Sequence, residues 1–275
     1  MELTLGFSPC PNDTFIFDAM IHGKVDTEGL SFAPLIADVE ELNKRAFEKS
    51  LHLTKLSYHA FAFLLSHYAL LQAGSALGNK VGPLLIARED MPESAIPKAK
   101  IAIPGRYTTA NFLLSLAFPN ADKREEMLFS KIEDAVLSGA AEAGLVIHEN
   151  RFTYQEKGLV KLMDLGAFWQ STTQMPIPLG GIVVQRSLPI EIQQAANRVM
   201  QRSVAYAMDH PEASKDFVRQ YAQEMEEQVM YRHIDLYVND YTRDLGLKGR
   251  AAVQRLYDVA MAKGIIPAAE VPIFV

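Results

Sequence analysis

Short apolar runs, each closed by glycine, proline or a polar cluster, alternate with stretches of helical period along the first half of the chain. "LTLGF" (Leu3 to Phe7) reads as a strand, "SPCPND" turns the chain, and a helix begins near Thr14. "LHLTKLS" (Leu51 to Ser57) is again extended and "YHAFAFLLSHYALL" continues it as a helix. "KIAIPG" (Lys100 to Gly105) stops at a Pro-Gly turn, and "RYTTANFLLSLAF" follows as a helix with Thr108 or Thr109 as its N-cap. Leu145-Val146-Ile147, between Gly144 and the polar His148-Glu149-Asn150, has the form of a buried parallel strand. Strands alternating with helices in this way predict an α/β fold with mostly parallel sheets.

Two segments share a pattern: "GPLLIAR" (Gly82 to Arg88) and "GGIVVQR" (Gly180 to Arg186) are glycine-led apolar strands ending in arginine. The chain between them has strand–helix units of its own. This predicts a two-lobed architecture with a ligand cleft between the lobes. Residues 1–88 and 181–275 would form the larger lobe, and 89–180 an inserted smaller one. After Pro189 the spacing of Ile192, Ala195, Ala196, Val199, Met200, Val204, Ala207 and Met208 is helical. "DHPE" interrupts, and "FVRQYA" and "RAAVQRLYDVAMAKG" resume the helical pattern.

Composition narrows the function. The 275 residues are 49% hydrophobic and 22% charged, as in an ordinary globular protein long enough for two domains. A formal net charge of −6 argues against a nucleic-acid partner, which needs a basic face, yet leaves room for a small anionic ligand. The single cysteine, Cys10, excludes an intramolecular disulfide and a multi-thiolate metal site. No apolar run reaches the length of a membrane span, and "MELTLGFSPCPND" lacks the form of an export signal. The expectation is a cytoplasmic protein with neither a membrane nor a nucleic-acid partner.

Four strand-to-helix turns gather the candidate chemistry: Ser8, Asn12 and Asp13; Lys55 and Ser57; Arg106, Thr108 and Thr109; and His148. In open α/β sheets the carboxyl ends of strands face the ligand crevice. "PGRYTTANF" is an anion site in outline, a helix start with hydroxyls beside it, although Thr108 and Thr109 serve equally well as plain caps. Imidazole suits proton transfer near neutral pH, and a hydrogen-bonded rim residue is the alternative for His148. His59 and His67 fit one face of a packed helix, and His210 the end of another. His22, His52 and His233 show no partner pattern, and no zinc-ligand spacing such as HExxH occurs. Cys10, between prolines, shapes the turn more readily than it attacks a substrate. Trp169 would either stack on a ligand or plug the hinge.

In chain order, "GFSPCPNDTFIF", "LTKLSY", "GPLLIAR", "PGRYTTANFLLSL", "AGLVIHENRFTY" and "PLGGIVVQR" resemble the 1,4-dihydroxy-6-naphthoate synthases of the futalosine route to menaquinone. "RSVAYAMDHPE", "YVNDYT" and the terminal "IFV" extend the resemblance to nearly the whole chain. The resemblance implies a fold like that of type 2 periplasmic solute-binding proteins. It also implies a carbon–carbon lyase that cleaves cyclic dehypoxanthine futalosine, a small-molecule carboxylate, with no metal or organic cofactor. It places the proton acceptor on His148 and the substrate contacts on Lys55-Leu56-Ser57 and Thr109-Ala110; the polar turns themselves add Thr108, Asn12 and Arg106 as candidate substrate contacts. A non-catalytic cytoplasmic binding or sensor protein of the same fold is the alternative.

Overall fold

The computed structural model describes residues 1–79, 81–148, 150–222, 226–267 and 271–275. The chain forms two compact units, Met1–Gly78 with Pro178–Val275, and Asn79–Ile177. The first unit opens with β1 (Glu2–Phe7), α1 (Pro11–Ile21), β2 (Ser31–Ile36), α2 (Val39–Phe47), β3 (Leu53–Ser57), α3 (Tyr58–Ala62), β4 (Tyr68–Leu70) and β5 (Ala76–Gly78). The second holds β6 (Leu84–Ala87), β7 (Ile101–Ile103), α4 (Thr109–Ala117), β8 (Arg124–Glu126), α5 (Ile132–Leu137), β9 (Ala143–Val146), α6 (Asn150–Thr153), β10 (Val160–Asp164) and α7 (Leu165–Thr173). The chain returns through β11 (Ile177–Gln185) to α8 (Ile190–Asp209), α9 (Lys215–Tyr221), α10 (Glu227–Tyr237), α11 (Asp240–Arg243) and α12 (Gly246–Ala262).

The first sheet runs β2-β1-β3-β11-β4, with β5 also on β11; the second runs β10-β6-β9-β7-β8. The strands that end in the polar turns are parallel neighbours, β1 beside β2 and β3, and β7 beside β8 and β9. The antiparallel pairings, β11 with β3 and β4 and β6 with β9 and β10, all involve the two strands of the shared glycine-led pattern. Each unit thus has a parallel core and one such antiparallel strand. Because β6 pairs within the second sheet, Gly82–Arg88 belongs to the second unit rather than the first, and the boundary precedes it.

Two local expectations change. Helix α1 starts at Pro11, ahead of Thr14, because proline suits the first helical position and Cys10 takes the N-cap. The run from Tyr58 does not stay helical: α3 ends at Ala62, and Tyr68–Leu70 pairs with β11. An apolar run buried on every side has no polar face to specify its period, so the available strand edge decides.

The core of the first unit joins Leu3, Leu5 and Phe7 of β1 to Phe15 and Phe17 of α1 and to Val199, Met200 and Val204 of α8. Phe7 and Phe17 stack with ring centroids 4.7 Å apart. The second core joins Ala102 of β7 and Val146 of β9 to Ile132 and Val136 of α5. There α5 lies directly on Gly144, where a Cβ would fall 2.5 Å from Ile132 Cγ2 and 2.9 Å from Val136 Cγ2. Glycine at this point is a packing requirement.

Gly144→Ala should therefore push α5 off β9 and cost about 1–3 kcal/mol, read as a lower denaturant midpoint. An unchanged midpoint would show that α5 is not seated on the strand. Asp38 gives a second test. It caps α2, with Oδ1 accepting from Glu40 N at 2.9 Å, while burial of Oδ2 raises its pKa. A carboxyl with a raised folded-state pKa destabilises the fold above that pKa, and the penalty vanishes once acid protonates it in both states. Asp38→Asn keeps the cap and should raise the unfolding temperature at neutral pH, with the gap closing below the ordinary aspartate range.

Candidate functional site

In the first unit, the register of β1 on β3 (Leu5 opposite Leu53, Gly6 opposite Thr54) carries the turn after Phe7 to the side of Lys55. The centre of that turn is the fully buried carboxylate of Asp13. Its Oδ2 accepts from Ser8 N at 3.1 Å and Ser8 Oγ at 2.6 Å. Its Oδ1 accepts from Asn12 Nδ2 at 2.8 Å and from the Lys55 ammonium, a buried ion pair. Four donors on two oxygens compensate the cost of taking this charge out of water. Lys55 is thus not an isolated cation; Asp13 takes one of its three donors, and two remain for other acceptors.

Ser57, at the end of β3, is held by Asn43 of α2. Asn43 Oδ1 accepts from Ser57 N at 3.0 Å, and Nδ2 donates to Ser57 Oγ at 3.2 Å and to Glu40 Oε2 at 3.0 Å. With its oxygen engaged as an acceptor, the Ser57 hydroxyl can donate its own proton to a ligand. The Leu56 side chain is fully buried and belongs to the core. Gly180 of β11 lies opposite Ser57, and a Cβ there would fall 2.9 Å from Lys55 Cε and 3.1 Å from the Leu56 carbonyl oxygen. The missing side chain at Gly180 gives Lys55 its room.

In the second unit, β7 and β9 run parallel with Ile101 opposite Ala143 and Ala102 opposite Gly144, so the turns after both strands lie at one edge of the sheet. The turn after β7 starts α4. Thr108 is its N-cap: Oγ1 accepts from Asn111 N at 3.3 Å and donates to the Gly105 carbonyl at 2.8 Å. Its hydroxyl therefore serves its own helix. Thr109 and Ala110 occupy the first turn, where the amide of Ala110 has no acceptor inside the helix. Asn111 steadies the turn, donating to the Arg106 carbonyl at 2.8 Å and accepting from Arg124 Nη1 at 2.8 Å. Arg106 is exposed, its guanidinium 5.9 Å from the centre of the Tyr107 ring.

The turn after β9 carries His148, half-buried, with its ring edge-on to Phe129 at 4.8 Å. Its φ is +56°, a left-handed conformation that costs energy in a residue with a Cβ. Among the described residues it is the only histidine with positive φ. Downstream, α6 is anchored to the body of the unit. Glu133 Oε2 accepts from Asn150 Nδ2 at 2.5 Å and from Lys157 Nζ at 2.6 Å, and Arg151 Nη1 donates to the Gly82 carbonyl at 2.5 Å.

The remaining candidates have structural roles. Trp169 is buried and donates from Nε1 to the Pro176 carbonyl at 3.2 Å, so it plugs the end of the second unit rather than stacking on a ligand. The Cys10 carbonyl accepts from Asp13 N and Thr14 N, the geometry of a helix start. His59 is buried beside Phe63, His67 bonds Ser66, and the two do not share a helix. His52 pairs with Thr4, His22 with Asp18, and His210 ends α8 beside Tyr206.

Sequence reasoning missed Asn43, His233 and Gly180. Asn43 lies on the buried face of α2 with Leu42 and Ala46, and His233 on that of α10 with Met230, Ile234 and Tyr237. For His233 the available signal was a polar residue on an otherwise apolar helical face, and for Asn43 a polar residue between the apolar Leu42 and Ala46. Gly180 was read only as part of a strand. Among the described residues, no group of histidine, cysteine and carboxylate side chains has the arrangement of a metal site, and no helix is long and apolar enough to cross a membrane.

A family model described as menaquinone biosynthesis matches residues 3–262. A 1,4-dihydroxy-6-naphthoate synthase from Thermus thermophilus is 46% identical, covering 99% of both chains. One from Streptomyces coelicolor is 42% identical over 97% of this chain and 95% of that one. A crystal structure of an Archaeoglobus fulgidus protein superposes with TM-score 0.91 at 37% identity, over 96% of this chain and 98% of the other. The alkanesulfonate-binding protein of Xanthomonas axonopodis, bound to MOPS, superposes with TM-score 0.70 at 12% identity, over 97% and 94%, which shows the periplasmic-binding-protein-like fold. With this fold and a match along nearly its whole length, the chain belongs to the menaquinone-biosynthesis family of the 1,4-dihydroxy-6-naphthoate synthases.

Proposed function

We propose that this enzyme of menaquinone biosynthesis is a carbon–carbon lyase that converts cyclic dehypoxanthine futalosine to 1,4-dihydroxy-6-naphthoate, with His148 as its general base. The observation that carries the proposal is the setting of His148, half-buried at the carboxyl end of a parallel strand in a left-handed conformation. Strained residues in such turns concentrate at reacting centres. Neutral imidazole accepts the proton, and the electron pair left behind opens the adjacent carbon–carbon bond. The electrons of that bond pass into the ring that becomes aromatic, which supplies the driving force without a cofactor.

The substrate has a carboxylate end and a hydroxyl-bearing end. Lys55 and Ser57 offer an ammonium and a hydroxyl, and the Thr109-Ala110 turn offers helix-start amides, with Arg106 beside it. Thr108 and Asn12 hold these turns in shape, Thr108 by bonding within its own turn and Asn12 by joining Asp13 to His233 of α10. The relationship to solute-binding folds keeps a second reading open, in which the protein binds a ligand without changing it.

Incubating the pure protein with cyclic dehypoxanthine futalosine separates the readings: naphthoate product supports the lyase, and tight binding of unchanged ligand the binding protein. His148→Asn, which tolerates the left-handed backbone, should keep the fold and lower kcat by roughly 10²–10⁴-fold. Wild-type turnover in that variant removes His148 from the mechanism. Gly180→Ala should press on Lys55 Cε and the Leu56 carbonyl, displacing the ammonium from its buried pair with Asp13 and lowering stability as well as activity. Its kcat/KM should fall roughly tenfold or more, the size of one lost charge-assisted hydrogen bond. Unaltered kinetics would mean that the substrate does not use the ammonium.

A further inference from the structure

His233 lies on α10, more than two hundred residues from the turn after β1, yet its Nε2 is 2.8 Å from Asn12 Oδ1. The ring is fully buried against Tyr237, at 4.7 Å between ring centroids. Chemistry alone orients every link of the chain that follows. An ionised Asp13 can only accept hydrogen bonds, so Asn12 must turn its NH₂ toward Asp13 Oδ1. That leaves the Asn12 carbonyl oxygen facing His233, and a carbonyl oxygen can only accept. His233 must therefore carry its proton on Nε2, and donation runs from His233 to Asn12 and from Asn12 to Asp13. The Lys55 ammonium donates to the same Asp13 oxygen from the other side.

We infer that His233 is a positioning residue: through Asn12 and Asp13 it sets where the Lys55 ammonium is held for the substrate. The inference rests on the proposed role of Lys55 in substrate binding. An asparagine amide has two orientations that differ by a half-turn and little in shape. In the wrong one its oxygen would face the Asp13 carboxylate and push it from Lys55. The imidazole N–H excludes that orientation by rewarding the other, and burial makes the reward large because no water can replace it. A histidine remote in sequence thereby controls the geometry of a lysine it does not touch.

The test is a double-mutant cycle on the full-length enzyme, measuring kcat and KM with cyclic dehypoxanthine futalosine. His233→Phe keeps a flat aromatic ring, though a larger one, and removes the N–H. Its kcat/KM should fall roughly tenfold, mostly through KM, and the same change should cost little in a Lys55→Met background. His233→Gln, which can place an N–H near the same point, should recover most of the loss. Equal losses in both backgrounds, or Gln no better than Phe, would overturn the inference, since a purely structural role predicts both. Should His233→Phe fail to fold, Asn12→Ala breaks the same chain from its middle and enters the cycle in its place. Wild-type kcat/KM in Lys55→Met would instead remove Lys55 from the proposed site, a failure visible before any His233 variant is made, and the positioning role would fall with it.

Discussion

The carboxylate of Asp13 organises the polar end of the first unit. It is buried without contact to water, and it is tolerable there only because Ser8, Asn12 and Lys55 together present four donors to its two oxygens. Each donor fixes something else. Ser8 ties the turn after β1, Asn12 reaches α10 through His233, and Lys55 ties the end of β3 to the start of α1. Removing one partner of such a pair leaves an uncompensated buried charge and costs about 3–5 kcal/mol. The arrangement is therefore rigid, which suits the substrate-holding role proposed for Lys55.

The second unit solves a different problem. Its candidate base needs mobility of a proton rather than of a side chain, so the backbone around His148 is the part that is constrained. Gly144 lets α5 press on β9, Glu133 of α5 holds Asn150 and Lys157, and Arg151 reaches Gly82. The strand before the histidine and the helix after it are thus both tied to the same body. The left-handed φ at His148 persists because its surroundings over-determine it.

Much of this was legible in the sequence. The strands ending at Phe7, Ser57, Ile103 and Val146 announced themselves as apolar runs closed by polar or Pro-Gly turns, and parallel pairing places such turns at one edge. The long helix after Pro189 followed from its spacing, and an N-cap at Thr108 or Thr109 from their hydroxyls ahead of an apolar run, of which the structure selects Thr108. The twin glycine-led strands were visible as a pattern, although their role as the antiparallel member of each sheet was not. The segment after Tyr58 misled because a run without a polar face carries no period, and only the edge offered by β11 makes Tyr68–Leu70 a strand.

What the sequence determined by itself is local: where elements begin and end, which turns are polar, and which histidine follows a buried strand. Periodicity, caps and turn chemistry act over a few residues and can be read there. What tertiary structure decided is partnership. Nothing near Asn12 in the chain points to His233, nothing near Ser57 to Asn43, and nothing near Lys55 to the space left by Gly180. Those contacts exist because burial forces each polar atom to find a partner within hydrogen-bond reach, and the partner at hand is chosen by how the strands and helices pack.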